Sequence, residues 1–160
     1  MENSHNYVQI LIDTLQKQVD ILKDVLEVTK EQSVIAGKED FDETLLEESL
    51  NKKEVLIAKL NSLDDGFTAV YGRVRSEVSA QQDLYQEELQ KMQSLIKECT
   101  DLGVEIKVLE ERNRERLMQC FSQKQKQYNS LKAAASVASH YHQTMNNTKI
   151  QDSYFLDQKN

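Results

Sequence analysis

A shortage of chain breakers constrains the fold of this chain more than any other feature of its sequence. Its 160 residues include no proline and only four glycines. A β-rich or α/β domain needs a turn about every 8–12 residues, and turns depend on Gly, Pro, Asn and Asp. The hydrophobic fraction is 39%, below the roughly 45–50% of ordinary globular domains. We therefore expect an all-α protein with a thin core between long helices.

Apolar residues near the N-terminus recur at alternating steps of four and three. This seam consists of Val8, Ile12, Leu15, Val19, Leu22 and Leu26. A second strip of Ile21, Val25 and Val28 widens the apolar face, which predicts a bundle of three or more helices rather than a two-stranded coil. We expect this helix to cover residues 5–36 and to end at Gly37, in the left-handed conformation that glycine tolerates.

A second helix is predicted to begin near Phe41 and to end near residue 78. Asp40 is the expected N-cap, and Glu43, three residues later, completes a capping box. The apolar positions of this helix are Leu46, Leu50, Ile57, Leu60, Leu63, Phe67, Val70 and Val74. The short connection to the first helix predicts an antiparallel hairpin. Residues 76–82 contain neither Gly nor Pro, so the boundary with the next helix stays open.

The third helical stretch is the longest. Its seam consists of Tyr85, Leu89, Met92, Leu95, Cys99, Leu102, Ile106, Leu109, Asn113, Leu117 and Cys120, and it resumes as Tyr128, Leu131, Ala134, Ala138, Tyr141 and Met145. The polar Asn113 at a seam position is expected to set the register. Gly103 indicates either a close helix approach or a bend.

The expected helix lengths predict that the third helix extends beyond the ends of its partners. A continuous helix over 82–145 would measure roughly 96 Å, against roughly 57 Å for a helix over 41–78. We therefore expect an elongated antiparallel bundle with coiled-coil-like seams. Residues 1–120 would form its body, and residues 121–160 an amphipathic segment and tail that bind a partner.

The charges disfavour several classes of partner. The chain carries 27 acidic and 20 basic residues, a net charge of −7, yet residues 121–160 hold two acidic and five basic side chains. Nucleic acid binding needs clustered Lys and Arg, which an acidic chain lacks. The N-terminus has no basic and apolar signal segment, and no run approaches the roughly 20 apolar residues of a membrane span. We expect a cytoplasmic protein without stable membrane insertion.

No motif indicates catalysis, a metal or a cofactor. The three histidines are His5, His140 and His142, and two residues that are two apart do not share a helix face. Cys99 and Cys120 would lie roughly 30 Å apart on one helix, so we expect buried thiols rather than a disulfide. We predict that the protein is not an enzyme.

The C-terminal tail contains a short apolar cluster of Tyr154, Phe155 and Leu156. Two interpretations stay open. The cluster could fold back on the bundle as a staple, or it could form a docking surface together with Tyr128, Leu131, Tyr141 and Met145.

Three stretches of the chain resemble the FlgN-type bacterial flagellar export chaperones. They are LNKKEVLIAKLNSLDDGF (50–67), IKECTDLGVEIKVLEERN (96–113) and the ending SYFLDQKN (153–160). The resemblance extends over roughly residues 7–120 and the tail. It implies an acidic, all-helical cytoplasmic chaperone that binds the C-terminal helical region of hook–filament junction proteins, prevents their premature assembly and delivers them to the type III export gate.

The resemblance also implies where these contacts lie. In this family the client surface is in the C-terminal helical part, and a tyrosine there contacts the export gate; Tyr128 and Tyr141 are both candidates. Together with the overhang, this predicts that Leu131, Val137, Tyr141 and Met145 receive an amphipathic client helix. We expect a monomer or a weak homo-oligomer. The alternatives are a structural coiled-coil protein that homo-oligomerises and a related flagellar chaperone with another client.

Overall fold

The computed structural model describes residues 2–130. These residues form three α-helices and one short 3-10 helix: α1 (Glu2–Ala36), α2 (Glu43–Ala80), η1 (Gln82–Tyr85) and α3 (Gln86–Ser130). No strand occurs within this part of the chain. The expected all-α class is therefore confirmed.

The chain divides into two compact units, each built from parts of several helices. The first unit comprises Met1–Val28 and Glu47–Ile106, and the second comprises Thr29–Leu46 and the described residues that follow Ile106.

The first unit has an apolar core to which all three helices contribute. Its buried members are Val8, Leu11, Ile12, Leu15, Val19, Val74, Val78, Tyr85, Met92 and Leu95. Four of the six predicted seam residues of α1 lie in this core, and Leu26 is buried as well, whereas Leu22 is only half-buried. Removing such side chains from water is the main stabilising term, at about 1.5–3 kcal/mol for each large one.

Contacts within the first unit show how the helices run. Ser4 Oγ, near the start of α1, donates a hydrogen bond to Glu77 Oε2 near the end of α2, so these two helices are antiparallel, as predicted. The His5 ring lies 4.8 Å from that of Tyr85. Further along, Lys23 Nζ lies 3.5 Å from Glu98 Oε1. The earlier α1 residue, His5, contacts the earlier partner, Tyr85, and the later one, Lys23, contacts the later partner, Glu98. The two helices α1 and α3 therefore run parallel.

A buried polar contact joins α1 to α3 in the second unit. Asn113 is completely buried, and its Nδ2 donates a hydrogen bond of 3.0 Å to the Thr29 carbonyl. Its Oδ1 accepts one of 2.6 Å from Ser33 Oγ. Both ends of the amide are thus satisfied, which is the condition under which a buried polar group can specify register.

The start of α2 differs from the prediction. Its first residue is Glu43 rather than Phe41, and the cap is Asp42 rather than Asp40. The Asp42 Oδ1 atom accepts hydrogen bonds from the amides of Thr44 at 2.9 Å and Leu45 at 3.3 Å. Because the cap lies two residues later, Glu43 is not three residues beyond it and no capping box forms. Phe41 is left before the helix, where its ring is buried.

The glycines also behave differently from the expectations. α1 does end at Ala36, but Gly37 has no positive φ; its amide donates to the Ser33 carbonyl at 3.0 Å and so extends the helical pattern. The left-handed cap was wrong. At Gly103, inside α3, an added Cβ would meet nothing within 4 Å, so glycine is not needed there for a close helix approach.

Replacing Asn113 by alanine tests the polar contact. Asn113→Ala removes both hydrogen bonds and leaves the half-buried Ser33 hydroxyl and the carbonyl of the buried Thr29 with fewer partners. We expect a loss of about 1–3 kcal/mol in the free energy of unfolding, measured by urea denaturation. Asn61→Ala is the matched control, because Asn61 is exposed within α2; its effect should stay within about 0.5 kcal/mol. Equal effects of the two substitutions would contradict the role of Asn113.

Candidate functional site

The C-terminal part of α3 is held against the α1–α2 connection by an aromatic and charged cluster. Phe41 and Phe121 meet edge to face, with ring centroids 5.5 Å apart and ring planes at 80°. Lys124 Nζ lies 4.8 Å from the Phe41 centroid and 3.6 Å from Glu43 Oε1. Edge-to-face rings and a cation over a ring face are both favourable arrangements of the aromatic quadrupole.

The buried residue that α3 contributes to this cluster lies on the same helix face as Asn113. Asn113, Leu117 and Phe121 follow one another at steps of four, and all three are buried. Side chains at this spacing lie on the same helix face. The face that receives the α1 hydrogen bonds at Asn113 therefore continues to the aromatic contact at Phe121.

Full burial of side chains in the described part of α3 ends at this cluster. Phe121 is the last buried residue, and between 122 and 129 each side chain is exposed or half-buried. The helix nevertheless continues to Ser130. Tyr128 lies in this last stretch and is half-buried.

Only one of the predicted client-binding residues, Tyr128, can be placed. The others lie outside the described residues: Leu131, Val137, Tyr141, Met145, Tyr154, Phe155 and Leu156. The division of the chain at residue 120 likewise stays a prediction.

Sequence reasoning missed Phe41 and Phe121. The predicted seam of α3 included Cys120 instead of Phe121. Phe41 was predicted only as the first residue of α2. One signal was present in the sequence, since Phe121 stands four residues after Leu117 and eight after Asn113. The partner of Phe121 could not be read from spacing, because Phe41 is eighty positions away.

Both cysteines are free thiols on α3. Cys99 packs against the core of the first unit, and its burial, together with the neighbouring charge of Glu98, raises the pKa of its thiol. A raised pKa keeps the thiol protonated at neutral pH, and a protonated thiol is a poor nucleophile. Cys120 Sγ lies 3.9 Å from the Ala36 carbonyl, to which it donates a weak hydrogen bond.

Two kinds of feature are absent from the described residues. Between residues 2 and 130, no group of three or more His, Cys, Asp or Glu side chains is arranged to hold a metal ion. No helix in the same range combines the length and the apolarity needed to cross a membrane.

The described residues define an all-α protein whose third helix continues nine residues beyond its last buried side chain, Phe121. Comparison with protein families identifies the group: the model of the FlgN protein family matches residues 1–149. The chain belongs to the FlgN family, a family of flagellar chaperones. No curated protein and no solved structure matches the chain.

The contribution of Phe121 to holding α3 can be tested by removing its aromatic ring. Phe121→Ala removes a buried aromatic side chain, and we expect a loss of about 3 kcal/mol in the free energy of unfolding. Hydrogen exchange should become faster at the amides around residues 117–125. Met118→Ala is the matched control on the same helix, because Met118 is 47% exposed; it should cost less than about 0.5 kcal/mol. Unchanged exchange in Phe121→Ala would show that the ring does not hold α3.

Proposed function

We propose that this protein is a cytoplasmic export chaperone for hook-associated proteins of the flagellum. It binds the C-terminal helical region of the hook–filament junction proteins, prevents their premature assembly and delivers them to the type III export gate. The observation that carries the proposal is the continuation of α3 to Ser130 beyond Phe121, the last buried residue among those that the structure describes, in a chain that belongs to the FlgN family.

The client surface begins where the packing of α3 ends. Tyr128 is half-buried on this stretch, and at helical spacing Leu131, Tyr141 and Met145 fall on one face. The proposed set is Tyr128, Leu131, Val137, Tyr141, Met145, Tyr154, Phe155 and Leu156. Such a strip suits an amphipathic helix whose own apolar residues recur at i, i+3, i+4 and i+7.

The mechanism is protection of an assembly surface. A junction protein that polymerises through an amphipathic helix exposes an apolar face before assembly. Covering that face with an apolar strip of the chaperone removes both surfaces from water, which is favourable in proportion to the area buried. The same cover keeps the client from pairing with another copy of itself.

The client surface can be tested in the full-length chain. Leu131→Glu and Tyr141→Glu each place a charge in the proposed strip, and we expect each to weaken binding to a peptide of the C-terminal helical region of a junction protein by about 30-fold or more, as for central interface residues. Isothermal titration calorimetry gives the affinity. Val104→Glu is the matched control, because Val104 is 59% exposed on the described part of α3.

The outcome separates the chaperone from the other candidates. Equal binding by the Leu131→Glu and Val104→Glu variants would place the client elsewhere. No binding by the wild-type chain, combined with a stable homo-oligomer in light scattering, would favour the structural coiled-coil protein. Binding to a different flagellar protein instead would favour a related chaperone with another client.

The export-gate contact is proposed at either Tyr128 or Tyr141. Tyr128→Ala and Tyr141→Ala, made separately and measured without client, should distinguish them: one variant loses capture by the cytoplasmic domain of the export gate, and the other is captured as well as the wild-type chain. Tyr71→Ala controls for the loss of an exposed tyrosine, since Tyr71 is 45% exposed on α2. If both variants at Tyr128 and Tyr141 are captured as well as the control, neither tyrosine is the contact.

A further inference from the structure

A groove runs between α1 and α2 on the surface of the first unit. Its volume is about 380 Å³, and it is lined by Lys17, Asp20, Ile21, Lys59, Ser62 and Leu63. Ile21 and Leu63 are half-buried and form an apolar floor, whereas the charged residues stand on the rim and are exposed. This size is at the lower end of the range of ligand pockets, which begins near 300 Å³. It suits two or three side chains rather than a whole helix.

The rim of this α1–α2 groove offers positive charge. Asp20 accepts a hydrogen bond from Gln16 Nε2 at 3.2 Å on its own helix. Among the described residues, neither Lys17 nor Lys59 forms an ion pair. The two free ammonium groups are a local exception, because the chain as a whole has a net charge of −7. A complementary ligand would combine apolar side chains with flanking carboxylates.

The tail of this chain has that pattern. Among residues 121–160 the only acidic side chains are Asp152 and Asp157, and they bracket Tyr154, Phe155 and Leu156. We propose that the segment 152–157 occupies the α1–α2 groove in the free protein. Its apolar side chains cover Ile21 and Leu63, and its carboxylates pair with Lys17 and Lys59.

The chain between the helices and this segment is long enough. Twenty-one residues separate Ser130 from Asp152, and an extended chain of that length spans up to about 70 Å. Glu98 of α3 contacts Lys23, two residues after Ile21 of the groove, and Ser130 stands 32 residues after Glu98 on the same helix, about 48 Å along its axis. Length therefore does not prevent the segment from reaching the groove.

Occupation of the groove regulates the chaperone. In this step the inference rests on the proposed function, which includes Tyr154, Phe155 and Leu156 in the client surface. While these side chains lie in the groove they are withheld from the client. Client binding and groove binding then compete, and each weakens the other by the same factor.

Carbodiimide cross-linking of the full-length chain tests the proposal without any client. The reagent joins a carboxylate to a lysine amine only when the two groups are in contact. At low micromolar concentration we expect a link from Lys17 or Lys59 to Asp152 or Asp157 within one chain, identified by proteolysis and mass spectrometry. The exposed pair of Lys97 Nζ and Asp101 Oδ2, 2.8 Å apart, is an internal positive control for the chemistry.

Variants that keep every cross-linking group show whether the apolar contact is needed. Phe155→Ser combined with Leu156→Ser leaves all lysines and aspartates in place and should lower the yield of the link about tenfold, the factor expected for two lost apolar contacts. Leu63→Ser should have the same effect from the groove side. Met145→Ser is the matched control in the tail, and Leu84→Ser is the control on the helices, because Leu84 is 55% exposed.

Three other results overturn the proposal. Absence of the link in wild type, with the Lys97–Asp101 link present, shows that the groove is empty. A link found only in a species of twice the mass shows that the groove takes the tail of a second copy. Equal yields in the tail double variant and in Met145→Ser show that residues 155 and 156 do not dock. A protein that forms the link but binds no junction protein would refute the proposed function and leave the occupied groove standing.

Discussion

The apolar face of α1 is the surface on which the packing of the first unit depends. Val8, Leu11 and Val19 on this face are almost fully buried, with α2 antiparallel to it and α3 parallel to it. Isolated helices are only marginally stable in water, and tertiary packing of an amphipathic face supplies most of their stability. The half-buried residues of α2, such as Leu60 and Leu63, show that α2 contributes a thinner face than α1 does.

Polar and aromatic contacts in the second unit decide where the packing of α3 stops. Sliding α3 by one turn along α1 would separate Asn113 from Thr29 and Ser33 and leave a buried amide without partners, at a cost of about 1–3 kcal/mol. The register that satisfies Asn113 also brings Phe121 to Phe41. The last buried contact of the described helix is therefore set by the same alignment as the polar one.

On the proposed function, one chemical pattern serves two purposes along a single helix. Apolar residues at steps of three and four bury themselves within the protein up to Phe121, and the same spacing continues toward the client beyond it. In the proposed docked state, the segment 152–157 lies in the α1–α2 groove, and its apolar side chains are withheld from the client. A surface made to hold amphipathic helices is apolar, and a cover for it in the free state would limit its association with other chains.

The sequence by itself determined the all-α class, the number and order of the helices, most of the buried seam and the family, because these follow from local periodicity and composition. It did not determine the cap at Asp42, the absence of a positive φ at Gly37 or the contact of Phe41 with Phe121. Those features were decided by the tertiary structure. The physical reason is distance along the chain: Ser33 and Asn113, like Phe41 and Phe121, are eighty positions apart, and no local pattern states which residues from two helices will meet.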